Sequence, residues 1–218
     1  MSILEFKNVY YSNDNKDILK KISFKVEKND FISIVGPSGS GKSTILKLCS
    51  SLISPKNGDI NFQDKKVEDY NPIDLRKNIA YVFQNSYLFG DSVKDNLIFP
   101  YGTRKIKVDY KKIEEYLNKF DLDIDYLDKD IKNLSGGEKQ RINIIRSLLF
   151  KPEILLLDEI TSSLDEENTR LTENIIKNLN EEGVTVLWVT HNEAQKKRYA
   201  NKILTIKEGQ VVSLEVIK

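Results

Sequence analysis

The run Gly36-Pro37-Ser38-Gly39-Ser40-Gly41-Lys42-Ser43-Thr44 satisfies the phosphate-loop pattern GxxxxGK[ST]. Its glycines let the loop curl so that successive backbone N–H groups, and the N-terminus of a following helix, face a single anion. In that arrangement Lys42 reaches the β- and γ-phosphates of a nucleotide, and the Ser43 hydroxyl ligates Mg²⁺. The plain alternative is a glycine-rich turn, but the chain's own residue frequencies give only about 0.007 chance matches to the pattern.

Two further constellations stand out. Asp158 and Glu159 end the apolar run Ile154-Leu155-Leu156-Leu157. Ligands of open parallel sheets bind beyond the carboxyl ends of the strands. Asp158 can therefore face the Mg²⁺ beside Ser43, and Glu159 can accept a proton from an attacking water. Taken alone, the pair could be two solvated acids capping a strand; behind a phosphate loop it reads as chemistry. The other constellation is Leu134-Ser135-Gly136-Gly137-Glu138-Lys139-Gln140-Arg141. Ser135 caps a helix start whose N–H groups form another anion site, and an ordinary cap needs no double glycine. Of ten glycines, five fall in these two clusters, which marks them as places of close backbone approach.

The elements that must hold these residues are legible from periodicity. Residues 3–9 and 22–26 alternate as strands with one wet face, while 31–35 is an apolar run leading straight into the phosphate loop. Residues 43–51 read as a helix, 79–83 as a short buried strand, and 92–120 as a helical, Lys- and Asp-rich stretch. An amphipathic helix over 137–150 follows. Then come apolar strands at 154–157 and 184–189, separated by a helix from about 167 to 181. Residues 202–206 and 210–216 form a hairpin turned by Glu208-Gly209. Buried strands alternating with helices predict a parallel α/β sheet with helices on both faces.

Composition excludes several classes. With 34 Lys+Arg against 33 Asp+Glu the net charge is +1, so nothing electrostatic calls for nucleic acid. One Cys excludes an intrachain disulfide, and one His with one Cys excludes a zinc finger built from this chain alone. The N-terminal residues lack the pattern of a signal peptide, and no window approaches a bilayer-spanning apolar run. The expectation is a soluble chain of a reducing, intracellular compartment.

A phosphate loop, then Leu-Ser-Gly-Gly-Glu, then Leu-Leu-Leu-Asp-Glu resembles the ATP-binding-cassette (ABC) ATPase family over nearly the whole chain. The resemblance implies an α/β P-loop NTPase fold with a mainly parallel sheet, an N-terminal antiparallel β subdomain and an inserted helical subdomain. Core and β subdomain would take about 1–84 and 151–218, the helical subdomain about 85–150. It implies Mg²⁺-dependent ATP hydrolysis by a homodimer, with each ATP held between the phosphate loop of one subunit and Ser135-Gly136-Gly137 of the other. Gln84 then matches the family glutamine that touches Mg²⁺ and couples the site to the membrane partner. Ser163-Leu164-Asp165 matches the loop that contacts the opposite subunit, and His191 the switch histidine at the γ-phosphate.

Glu138 stands where the family usually has Gln, a common variant. An aromatic commonly stacks on adenine four residues after the Val ending the first strand; here that position is Asn13. The neighbouring Tyr11 is the preferred stacking ring, with a strand-edge tyrosine packed on the core as the alternative. Tyr87, Leu88 and Phe89 fall where a permease's short cytoplasmic helix docks, whereas Leu97 and Ile98 read as subdomain core. The segments 51–55, 88–91, 95–100 and 157–162 look most like the FetA (YbbL) type of bacterial cassette. That group is associated with iron export through a small separate permease, although nothing in these residues could bind iron. The absence of a coiled-coil insertion, a second cassette and a C-terminal regulatory domain favours a transporter subunit. The expectation is therefore an ATPase peripheral on the inner face of the cell membrane, partnered by a separate integral membrane permease and binding no nucleic acid. The alternative is a soluble ABC ATPase acting on nucleic acid or ribosomes.

Overall fold

Strands β1 (Ser2–Asn13) and β2 (Lys16–Glu27) pair antiparallel with β-bulges. They join β4 (Asn57–Phe62) and β5 (Lys65–Lys66) in a four-stranded sheet of order β2-β1-β4-β5. The computed structural model describes residues 2–192 and 197–217. Its chain divides into two units. The first comprises Met1–Tyr81, Pro152–Glu159 and Leu179–Lys218, the second Val82–Lys151 and Ile160–Asn178.

The second sheet has the order β10-β9-β3-β8-β7-β6. Its strands are β3 (Phe31–Val35), β6 (Ile79–Val82), β7 (Ile154–Asp158), β8 (Thr185–Val189), β9 (Lys202–Lys207) and β10 (Gln210–Val216). β3 pairs parallel with both β8 and β9, and β7 pairs parallel with β8. All five residues of β7 and of β8 are buried, which is why both read as unbroken apolar runs with no wet face. β9 and β10 form the expected antiparallel hairpin.

Helix α1 (Lys42–Cys49) follows β3 directly through the glycine loop and buries Ile45, Leu46, Leu48 and Cys49. These side chains join Ile32, Ile34, Leu156, Leu187 and Val189 in one apolar core, so the loop is pinned at both ends. A short helix α2 (Pro72–Asn78), capped by the Asn71 side chain and opened by Pro72, precedes β6. The Arg76 guanidinium on α2 donates to the Ser50 and Ser51 carbonyls, which the end of α1 leaves without helical partners. The elements β4, β5 and α2 are additions to the sequence reading, and β6 stops one residue short of the expected strand.

In the second unit the stretch expected to be helical holds two helices, α3 (Val93–Arg104) and α4 (Tyr110–Lys119). Lys105 takes a left-handed conformation at the end of α3, and Asp109 caps α4. Helix α5 (Gly136–Leu148) begins at the Ser-Gly-Gly segment, and α6 (Glu166–Glu181) follows β7. Leu97 is buried as expected, Ile98 only half-buried. Among the described residues no helix is long and apolar enough to cross a membrane.

Candidate active site

The phosphate loop lies between β3 and α1, and Gly36, Gly39 and Gly41 all have positive φ (146°, 74° and 102°). A Cβ at Gly36 would run into the Ile206 carbonyl, and one at Gly41 would lie 2.5 Å from the Leu19 side chain. Only glycine satisfies both the dihedral and the space at these two positions. Pro37, Ser38 and Ser40 complete the turn, and Thr44 follows Ser43 in the first turn of α1. The buried Lys42 ammonium donates to the Gly36 and Pro37 carbonyls, at 2.9 Å each. Burial lowers the Lys42 pKa, with Glu159 and Asp158 acting in the opposite sense.

At the carboxyl end of β7, Asp158 is buried and both its carboxylate oxygens are engaged. Oδ1 accepts from the Ser43 hydroxyl at 2.8 Å, and Oδ2 accepts from the Tyr81 hydroxyl at 2.7 Å. The Tyr81 phenol is held far above its ordinary pKa, first by burial and then by the Asp158 carboxylate, so it stays protonated and donating. Tyr81 is absent from the sequence reading of the site. It sits in a run that reads as buried strand, and its partner is 77 residues away.

Glu159 follows at φ 49°, a left-handed conformation that costs a non-glycine residue about 1–3 kcal/mol. Its N–H donates to the Val189 carbonyl at 3.1 Å, tying the turn to the end of β8. This turn brings Glu159 Oε1 to 2.9 Å from His191 Nε2, just beyond β8. His191 is half-exposed and Glu159 largely covered. The structure thus brings Lys42, Ser43, Asp158, Glu159 and His191 together within the first unit, and adds Tyr81.

The residues present fit a nucleotide's phosphate chain and its cation. Positive-φ glycines keep the loop open, and one ammonium is held at the loop by two carbonyls. The Ser40 hydroxyl is buried with no hydrogen-bond partner among the described residues. A hydroxyl and a carboxylate are the hard oxygen donors that Mg²⁺ takes.

Of the other expected residues, Gln84, Ser135, Gly136, Gly137, Glu138 and Asp165 belong to the second unit and Tyr11 to the first. Gln84, exposed, follows β6 in the second unit, where the Gln140 carboxamide of α5 donates to the preceding Phe83 carbonyl at 3.4 Å. Ser135 caps α5 in a reciprocal box with Glu138. The Glu138 carboxylate accepts from the Ser135 N–H and the Tyr126 hydroxyl, both at 2.7 Å. Burial works to raise the Glu138 pKa, but these hydrogen bonds outweigh it and hold the group ionised below its usual range. Gly136 has open space around the position a Cβ would take, and Gly137 meets Leu164 only at 3.7 Å. Asp165 caps α6 through Asn168, whose backbone and side-chain amides lower its pKa. Tyr11 is half-buried against the core of the first unit. Tyr87 is 73% exposed, while Phe89 is half-buried, edge-on to Phe99 and fixed at its backbone by the Asn96 carboxamide. Arg146 donates to the Tyr87 carbonyl and to Asn96, so this aromatic loop is tied to α3 and α5.

Residues 19–162 match the ABC transporter family. The chain is 43% identical over 205 residues to an Escherichia coli (strain K12) protein named "Probable iron export ATP-binding protein FetA", covering 94% of this chain and 91% of that one. It is 35% identical over 218 residues to the "Spermidine/putrescine import ATP-binding protein PotA" of Borreliella afzelii (strain PKo), covering 97% of this chain but 62% of that one. Among solved structures it is similar to the ATP-binding cassette MJ0796, seen as a dimer in a post-hydrolysis state with ADP and Pi. The TM-score is 0.89 with 30% identity and 99% of both chains covered. A phosphate loop, an acid pair at the end of a buried strand and a histidine paired with the second acid, on a fold shared over the whole chain, leave one conclusion: the chain belongs to the ABC transporter family, as an ATP-binding subunit that takes ATP with Mg²⁺ and hydrolyses it.

Proposed function

We propose that this chain powers a membrane exporter through a separate permease, working as a homodimer on the cytoplasmic face of the membrane. The observation that carries the ATPase half is the joining of two pairs at one sheet end: Ser43 with Asp158 at 2.8 Å, and Glu159 with His191 at 2.9 Å. Bound Mg²⁺ would supply charge neutralisation at the phosphate oxygens. Ser43 and Asp158 would hold it, and Gln84 is assigned to it by the family pattern. Glu159 would take the proton of the attacking water, with its carboxylate aimed by the Val189-anchored turn and by His191. Lys42 and His191 would stabilise the charge of the transferred phosphoryl group. The Ser135, Gly136 and Gly137 N–H groups of the second subunit, with Glu138 and Asp165 beside them, would close over the nucleotide. Tyr11 would contact the base.

Export rather than import is supported by the relative whose name carries iron export, at 43% identity over most of both chains; the import-type relative stands at 35%. The exposed Tyr87 and the tethered Phe89 offer a permease helix an aromatic foothold on a loop that Arg146 keeps in place. Affinity purification from detergent-solubilised native membranes tests the reading. A small integral membrane protein should come along in stoichiometric amount, and iron should stimulate the pair's ATP hydrolysis in vesicles. Ribosomal proteins or nucleic acid, with no membrane partner, would overturn it.

A further inference from the structure

The Asp158 carboxylate presents its two oxygens to two different donors from two different elements. Ser43, at the start of α1, holds Oδ1; Tyr81, on β6 beside β7, holds Oδ2. The torsion that swings a carboxylate is broad and nearly two-fold, so one hydrogen bond leaves it free to turn. Two bonds on opposite oxygens fix its plane. A phenol packed on a core needs only one acceptor, and any strand-end carbonyl would satisfy it. Here it uses the buried Asp158 carboxylate.

We propose that Tyr81 is a positioning residue for the metal side of the active site, holding Asp158 so that Oδ1 and the Ser43 oxygen face one cation together. This rests on the reading of Asp158 as a Mg²⁺ ligand. Partners that orient metal ligands typically contribute 10–100-fold to metal affinity when removed singly. In Tyr81→Phe the ring and its core contacts stay, while Asp158 Oδ2 loses its donor. The consequence should appear wherever Mg²⁺ is bound and nowhere else.

The test measures binding of the non-hydrolysable analogue AMP-PNP by calorimetry, once with excess Mg²⁺ and once with EDTA. Wild-type protein should gain affinity from Mg²⁺. Tyr81→Phe should match wild type in EDTA but lose about tenfold of the gain. In steady-state ATP hydrolysis the half-saturating Mg²⁺ concentration should rise correspondingly, with kcat at saturating Mg²⁺ close to wild type. An unchanged Mg²⁺ gain would overturn the proposal. Equal weakening in both arms, or no binding in EDTA, would assign Tyr81 a purely structural role and overturn it too. Asp158→Asn, run alongside, separates the two ideas. If Asp158→Asn keeps the full Mg²⁺ gain, the ligand reading itself fails. If Asp158→Asn loses the gain and Tyr81→Phe keeps it, only the proposal for Tyr81 fails.

Discussion

Glu159→Gln should lower ATP turnover by about 10²–10⁴-fold, the range that a positioned general base contributes, while ATP still binds. Gln has the same length and shape, can keep its carboxamide oxygen near His191 Nε2, and leaves the backbone N–H to Val189 untouched. What it loses is the capacity to accept a proton. The left-handed turn at Glu159 is tied to the neighbouring strand through its backbone N–H, which Gln keeps, so the variant should fold. Steady-state phosphate release and equilibrium ATP binding, measured on the same preparation, check both halves. Turnover within threefold of wild type would remove Glu159 from the role of base. Loss of ATP binding would instead show that its carboxylate supports the phosphate loop.

Lys42→Ala should abolish useful nucleotide affinity. Lys42 as a residue is 5% exposed, and its ammonium donates to two loop carbonyls. Its removal therefore takes a cation from the phosphates and two hydrogen bonds from the loop. Truncating one partner of a buried, hydrogen-bonded charge interaction costs about 2–5 kcal/mol, equivalent to roughly 30- to 5000-fold in affinity. Titration with a fluorescent ATP analogue measures it. Unchanged affinity would mean that the phosphates lie elsewhere than the Gly36–Thr44 turn.

The strand–loop–helix around Lys42 and the acid pair closing β7 were legible in the sequence because each is local. An apolar run, a glycine cluster and a helix period lie within a few residues of one another, and the chemistry sits where they meet. The buried runs of β3, β7 and β8 were equally plain, since strands covered on both faces show no alternation. The region 57–78 was not, although Asn71-Pro72 with Asp74 carried an ordinary helix-start signal. β4 mixes Asn, Gly and Asp with its few apolar residues, and its pairing with β1 is a contact far away in sequence. The site details that escaped are non-local in the same way. Tyr81 reads as strand filler until its hydroxyl is found on Asp158, and Glu138 reads as a neutral variant until Tyr126 is seen donating to it. The break at Lys105 divides what periodicity alone made one helical stretch, because a left-handed residue leaves no mark in an apolar pattern.

Whether ATP closes two copies of this chain around shared sites can be read from light scattering of Glu159→Gln at saturating Mg²⁺-ATP. A dimer that reverts to monomer when the nucleotide is removed is expected. A monomer under those conditions, with ATP demonstrably bound, would rule out the shared-site dimer.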